Sequence, residues 1–187
     1  MQGLKQAINN LNELGTNLVP KATTQAVNRV ARRVISRSTR LVAKETGVSQ
    51  KLIRQRARIR LATSSRDSLA ARLIINRGNL PAINLGTARF QLSRRNNMTS
   101  RRGSVLKIGR FTFRHAFIQQ LANGRWHVMQ RTGRGRYPLQ VVKIPLSAPL
   151  TKAYQEETHH LVEADLPREL VAALRQQVRL YLNRTIR

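Results

Sequence analysis

Between Pro20 and Gly47 the chain runs for 26 residues without a glycine or a proline. A stretch of that length and makeup predicts one long helix over residues 21–46. On a helical wheel Val27, Val30, Val34, Leu41 and Val42 gather on one side. Arg29, Arg33, Arg37 and Arg40 fall on the other, with Arg32 beside them. At about 1.5 Å per residue the helix would be roughly 40 Å long, and the rest of the chain has to cover its valine side. Ahead of it, Leu4, Ile8, Leu11 and Leu14 recur at helical spacing, Gly15 closes that segment, and LVP at 18–20 marks a break. Gly47 stops the long helix, and Ser49 can cap a short one through Gln55. Residues 1–55 are therefore expected to be helical.

The middle of the chain changes period. RARIRLA (56–62), LAARLIIN (69–76), ARFQL (88–92) and VLKI (105–108) are short, β-branched or alternating segments. FTFRHAFI (111–118), WHVMQRT (126–132) and LQVVKI (139–144) continue the series. Gly109-Arg110 and Asn123-Gly124 supply tight turns between strands. Residues 56–145 predict a central, mainly antiparallel sheet of five to seven strands. It is interrupted by SRRNNMTSRRGS (93–104), a basic loop with four arginines and one apolar residue. Past Pro145 and Pro149 the helical period returns, with one helix over 149–163 and another opening at Pro167. There Leu170, Leu174, Val178, Tyr181 and Leu182 form a stripe, with Arg168, Arg175 and Arg179 away from it. Helices, then a sheet, then helices over 146–187 is an α+β order. With 187 residues, 41% of them apolar, it is expected to be a single domain spanning 1–187.

Charge narrows the partners. The chain has 35 Lys and Arg against eight Asp and Glu, a formal net charge of +27. Residues 1–155 contribute all of it, with only Glu13, Glu45 and Asp67 as acids, whereas 156–187 is neutral. No acid at all lies between Ser68 and Gln155. Self-repulsion on that scale destabilises a compact state, so its natural outlet is a polyanion or an acidic partner. Arginine outnumbers lysine 28 to 7, and its rigid fork suits phosphates and carboxylates.

Catalysis finds little support. There is no cysteine, which excludes disulfides, thiolate zinc sites and cysteine nucleophiles. His115 and His127 lie on predicted strands, His159 and His160 are adjacent on a helix, and no HxxxH or HExxH spacing exists, so no metal site is expected. GRGR (133–136) is not a Walker or GxGxxG pattern and opens no helix. Eight aromatic residues are too few for base stacking to be the main mode, so contact with nucleic acid would go to phosphates without reading sequence. The opening MQGLKQAINNLNEL has no signal-type apolar run and nothing approaches a membrane span, which predicts a chain made in the cytoplasm with no membrane partner.

The stretch 103–150 carries a family resemblance. GSVLKIG, AFIQQLANGRWHVMQR and RYPLQVVKIPLSAPL closely resemble the minor tail protein Z family of long-tailed, lambda-like bacteriophages. VPKATTQAVNRVARRVISRSTRLVAKETGVSQKLIRQRARI (19–59), NRGNLPAINLG (76–86) and LPREL (166–170) agree in order and character. The resemblance implies a structural virion protein, without enzyme activity or cofactor, that completes the head-proximal end of a tail at the head–tail joint. It implies a ring of copies, six-fold to match a tail tube, beside the tail terminator, other tail or neck proteins and the tape-measure protein. Phage DNA would pass it without sequence-specific contact. On that basis Phe117, Leu121, Trp126, Val128 and Met129 are core or subunit-contact residues of a hairpin. Arg29, Arg33, Arg37 and Arg40, with Arg94, Arg95, Arg101 and Arg102 of the loop, would face DNA or an acidic partner. The rival reading is a stand-alone, sequence-neutral nucleic-acid-binding protein of ribosomal or nucleoid type.

Overall fold

The computed structural model describes residues 11–64, 69–91, 105–133 and 137–185. Leu4, Ile8, Asp67, the basic loop 93–104 and residues 134–136 lie outside that range.

The long helix forms, and it starts earlier than expected. A helical path runs through residues 11–13, a wide π-type stretch Leu14–Leu18, and α1, Val19–Thr46. Gly15 does not close a segment and LVP is not a break, contrary to the sequence expectation. The reason is local. Pro20 has no N–H, and its ring collides with the carbonyl one regular turn back. Here Val19 N–H reaches five residues back to Leu14 O, and this wider turn just ahead of Pro20 lets the helix continue. α1 ends where Gly47 takes φ +71°, a left-handed cap that a side chain would strain.

The buried side of α1 is broader than a valine stripe. Val30, Val34 and Val42 are buried, but so are Ala22, Ala26, Ala31, Ile35, Ser38 and Thr39. Val27 is only half-buried and Leu41 is 42% exposed, so neither is a core residue.

The chain divides into two compact units. The first comprises Met1–Glu45, Gln50–Asn76 and Leu150–Arg187. It holds most of α1, the short helix α2 (Gln50–Arg54), and an antiparallel ribbon of β1 (Ala57–Arg60) and β2 (Arg72–Ile75). Most of α3 (Ser147–Ala164) and all of α4 (Leu166–Thr185) complete it. The first two predicted strands therefore belong with the helices. Leu150, Ala153, Tyr154 and Leu161 of α3 are buried, and α3 meets α1 where Ser38 Oγ donates to Ala153 O at 3.3 Å and Thr39 Oγ1 lies 3.4 Å from the Tyr154 hydroxyl.

The second unit is Thr46–Ser49 with Arg77–Pro149. It contains β3 (Leu80–Pro81), a 3₁₀ turn Ala82–Leu85, β4 (Ala88–Gln91), β5 (Val105–Ile108), β6 (Phe111–Arg114), β7 (Ala116–Gln120), β8 (Trp126–Arg131), β9 (Leu139–Val141) and β10 (Lys143–Ile144). The architecture is α+β with antiparallel pairing throughout the described strands. The strands form several small sheets rather than one: β4-β5-β6, β7-β8-β9 and β10-β3 here, besides β1-β2. Two predicted segments split. FTFRHAFI breaks at His115, whose φ of 56° turns the backbone out of the extended region, and LQVVKI breaks at Val142. Val142 N–H donates to Val128 O at 2.8 Å while its carbonyl accepts from Ala82 N–H at 2.9 Å. That residue stitches the hairpin sheet to the 3₁₀ turn. Ala82, Leu106, Ile108, Ala116 and Val128 are buried together beneath it.

Candidate functional site

Both expected turns form. β5 and β6 join through Gly109 at φ 58°, and β7 and β8 through Gly124 at φ 73°. At the second, Asn123 Oδ1 accepts from Arg125 N–H at 3.0 Å and Gln120 Nε2 donates to Gly124 O at 3.0 Å. The hairpin residues assigned to core or subunit contact then separate. Val128 and Met129 are buried on opposite faces of β8. Phe117, opposite Met129, is half-buried beneath the Arg131 guanidinium, 5.8 Å from its ring centre. Leu121 is half-buried as well, and Trp126 is 56% exposed beside the turn. An indole that large in solvent is available for contact with another molecule.

The arginine stripe of α1 divides in the same way. Arg29 Nη1 lies 3.3 Å from Glu169 Oε2, and its Nη2 reaches Gln176 Oε1 at 3.2 Å. Arg33 Nη1 lies 3.0 Å from Asp165 Oδ2, and its Nη2 donates to Glu169 Oε1. Hydrogen bonds to Glu169 first and Asp165 second hold the Arg33 guanidinium charged above its usual range. Both carboxylates sit at the start of α4, where the helix dipole also favours anions. These two arginines thus meet acids of their own chain. Arg37 and Arg40 are exposed and make no ion pair with a described residue, and Arg32 is exposed beside them.

The geometry behind this was legible but unread in the sequence. Ala22, Ala26, Arg29 and Arg33 follow one another at steps of four, three and four, a single helical stripe. Asp165, Glu169 and Ala173 do the same at steps of four on α4. Ala22, Ala26 and Ala173 are fully buried together, flanked by Leu166, Leu170 and Leu174. These small residues form the apolar part of the contact between the two helices, and the charged ends of both stripes meet further along. Alanine is apolar but too small to stand out beside valine on a wheel, which is why the seam was missed.

Of the predicted α4 stripe, Leu170, Leu174 and Tyr181 are half-buried, while Val178 and Leu182 are 36% and 50% exposed. Among the described residues no group of three or more His, Asp or Glu side chains gathers as a metal site would. No described helix is long and apolar enough to cross a membrane. A shallow groove in the first unit, lined by Leu41, Lys44, Glu45, Lys152, Ala153 and Glu156, mixes both charges and offers no nucleophile–base pair. What the molecule presents is contact surface: cationic strand and helix faces, one exposed indole, and acids partly consumed at a helix seam.

Comparison with known proteins fits a molecule of surfaces. No solved structure matches the chain. It is 54% identical over 184 residues to the tail completion protein of Escherichia phage N15, covering 98% of this chain and 99% of that one. It is 45% identical over 192 aligned residues to tail completion protein Z of Escherichia phage lambda, again covering 98% of this chain and 99% of its relative. The model of the prophage minor tail protein Z (GPZ) family matches residues 1–184, and the chain belongs to that family.

Proposed function

We propose that this chain is a structural virion protein that completes the head-proximal end of a phage tail. It acts there as a ring of identical copies, six-fold to match a tail tube. The observation that carries this reading is end-to-end kinship with two phage tail completion proteins. Its partners are further copies of itself, the tail terminator and other tail or neck proteins, with the tape-measure protein within reach. The work is mechanical and electrostatic rather than catalytic. Apolar contacts, with Trp126 as an exposed candidate, hold neighbours together, and surplus cations hold or guide the DNA end through phosphates. Arg37 and Arg40, left exposed by the helix seam, remain assigned to DNA or an acidic neighbour. Arg29 and Arg33 could serve there only by exchanging their present carboxylates. Arg94, Arg95, Arg101 and Arg102 are assigned to the same contact from sequence.

The test is assembly. Tails made without this chain are mixed with the purified protein and with filled heads. Restored joining, with a label on the chain seen at the head-proximal end by electron microscopy, is the expected result. Joining that proceeds equally well without the chain, or a label elsewhere on the particle, overturns the proposal.

A further inference from the structure

The second unit, Thr46–Ser49 with Arg77–Pro149, contains 14 lysines and arginines and not one aspartate or glutamate. None of these cations can be neutralised by a side chain of its own unit. The sheet β4-β5-β6 concentrates some of them on one face. Arg89 stands directly opposite Lys107, and Lys107 opposite Thr112. The next row is Gln91, Val105 and Arg114. Side chains two apart on a strand share a face, so Arg89, Gln91, Lys107, Thr112 and Arg114 all point the same way. All five are exposed, while Leu106 and Ile108 on the reverse side are fully buried.

Two like charges directly opposite one another, about 5 Å apart at Cβ, destabilise an antiparallel pair. Nothing in the unit offsets this. We infer that the outward face of β4-β5-β6, through Arg89, Lys107 and Arg114, is a binding surface for the phosphate backbone of nucleic acid. The inference rests on the proposed role in holding DNA and adds this sheet to the surfaces that make that contact. The chemistry favours phosphate over an acidic protein. Protein interfaces are anchored by a buried apolar or aromatic cluster, and this face offers only half-buried Val105. Its three cations present only donors and the Thr112 hydroxyl can add another, which suits a ligand whose exposed oxygens only accept. The face is a short strand surface with no helix or ribbon to enter a groove, so its cations meet backbone phosphates and binding should be indifferent to sequence.

The experiment is a salt titration of the full-length chain on a short mixed-sequence DNA duplex. It compares wild type with the triple variant R89Q/K107Q/R114Q and with R89K/R114K. Wild type should bind with log affinity falling linearly in log salt. The triple variant should flatten that slope by roughly 2 to 3, about 0.9 for each phosphate no longer neutralised. The lysine variant should keep most of it. The triple variant's melting temperature should be equal to or above wild type, because a repulsive pair has gone. An unaltered slope in a folded triple variant overturns the sheet assignment while leaving the wider role intact. Failure of wild type to bind DNA at all overturns both. DNA binding equal to wild type, with loss of entry into tails, would make the face a protein surface and also overturn the inference.

Discussion

Asn28 and Ala62 exchange two hydrogen bonds. Asn28 Nδ2 donates to Ala62 O at 3.0 Å, and Ala62 N–H donates to Asn28 Oδ1 at 2.8 Å. One amide thereby imitates a strand neighbour and ties the chain just after β1 to the middle of α1. Ala62 is 5% exposed, so its backbone groups have little access to water. Asn28→Ala leaves both unsatisfied and should cost about 1–3 kcal/mol. Asn28→Asp keeps the acceptor but turns an anionic oxygen toward a carbonyl, and should be at least as harmful. Urea denaturation of the two variants checks this, and wild-type stability in either would mean the clamp contributes nothing.

The burial pattern of α1 sets up a contrast. Val34 is 1% exposed and Leu41 is 42% exposed, although a helical wheel puts both on one side. Val34→Asp places an unpaired carboxylate in the core, at a cost of several kcal/mol, and should abolish folding. Leu41→Asp should shift stability by less than about 1 kcal/mol. Soluble expression and circular dichroism distinguish the two. Equal damage from both would mean that Leu41 is covered in the assembled molecule.

Tyr154 gives a pH dependence with a definite sign. Burial raises its phenol above the ordinary value of 10.0, with a smaller opposing effect from the contact with Thr39. The folded state therefore holds this proton more tightly than the unfolded chain. Its contribution to stability is complete below pH 10 and is lost as pH rises through the folded value. Tyr154→Phe removes that loss, so its stability should fall less steeply than wild type above pH 10. At neutral pH it should cost no more than about 1.5 kcal/mol, the usual worth of one hydrogen bond. Parallel alkaline curves for the two proteins would show that Tyr154 ionises as freely folded as unfolded.

His115 accounts for one difference between the sequence reading and the fold. FTFRHAFI has the continuous β character of one strand, yet it forms β6 and β7 with a left-handed residue between them. That conformation costs a residue with a side chain about 1–2 kcal/mol, and the His115 side chain is exposed and buries little in return. His115→Gly should be neutral or slightly stabilising, and His115→Val should cost about 1–2 kcal/mol, both read from thermal melts. Equal melting temperatures would mean the turn relaxes around valine.

Periodicity revealed the elements better than it revealed their neighbours. VLKI becomes β5 at the expected residues, and both glycine turns form, because local backbone preference decides them. Gly15 and Pro20 misled because breakers act on a regular α-helix, and the chain there adopts a wider turn. The division into several small sheets depends on a single left-handed histidine and on Val142, which alternation cannot show. Arg29 and Arg33 looked like free surface charge because their partners lie more than 130 residues along the chain. Arg89, Lys107 and Arg114 were visible only as an excess of charge until strand register put them on one face.

The seam between α1 and α4 offers two sources of stability, and their sizes differ. Arg33 is about half exposed, at 46%, so its pairing with Asp165 and Glu169 is screened by solvent and should be worth no more than about 1 kcal/mol. Ala22, Ala26 and Ala173 are 0% exposed and buried together. Ala173→Leu forces the helices apart and should cost about 1–3 kcal/mol. Arg33→Gln should cost less, and its deficit should shrink further in high salt. Chemical denaturation at low and high salt measures all of these together. If Arg33→Gln proves the more damaging at both salt levels, the charged cluster rather than the alanine contact holds α4 against α1.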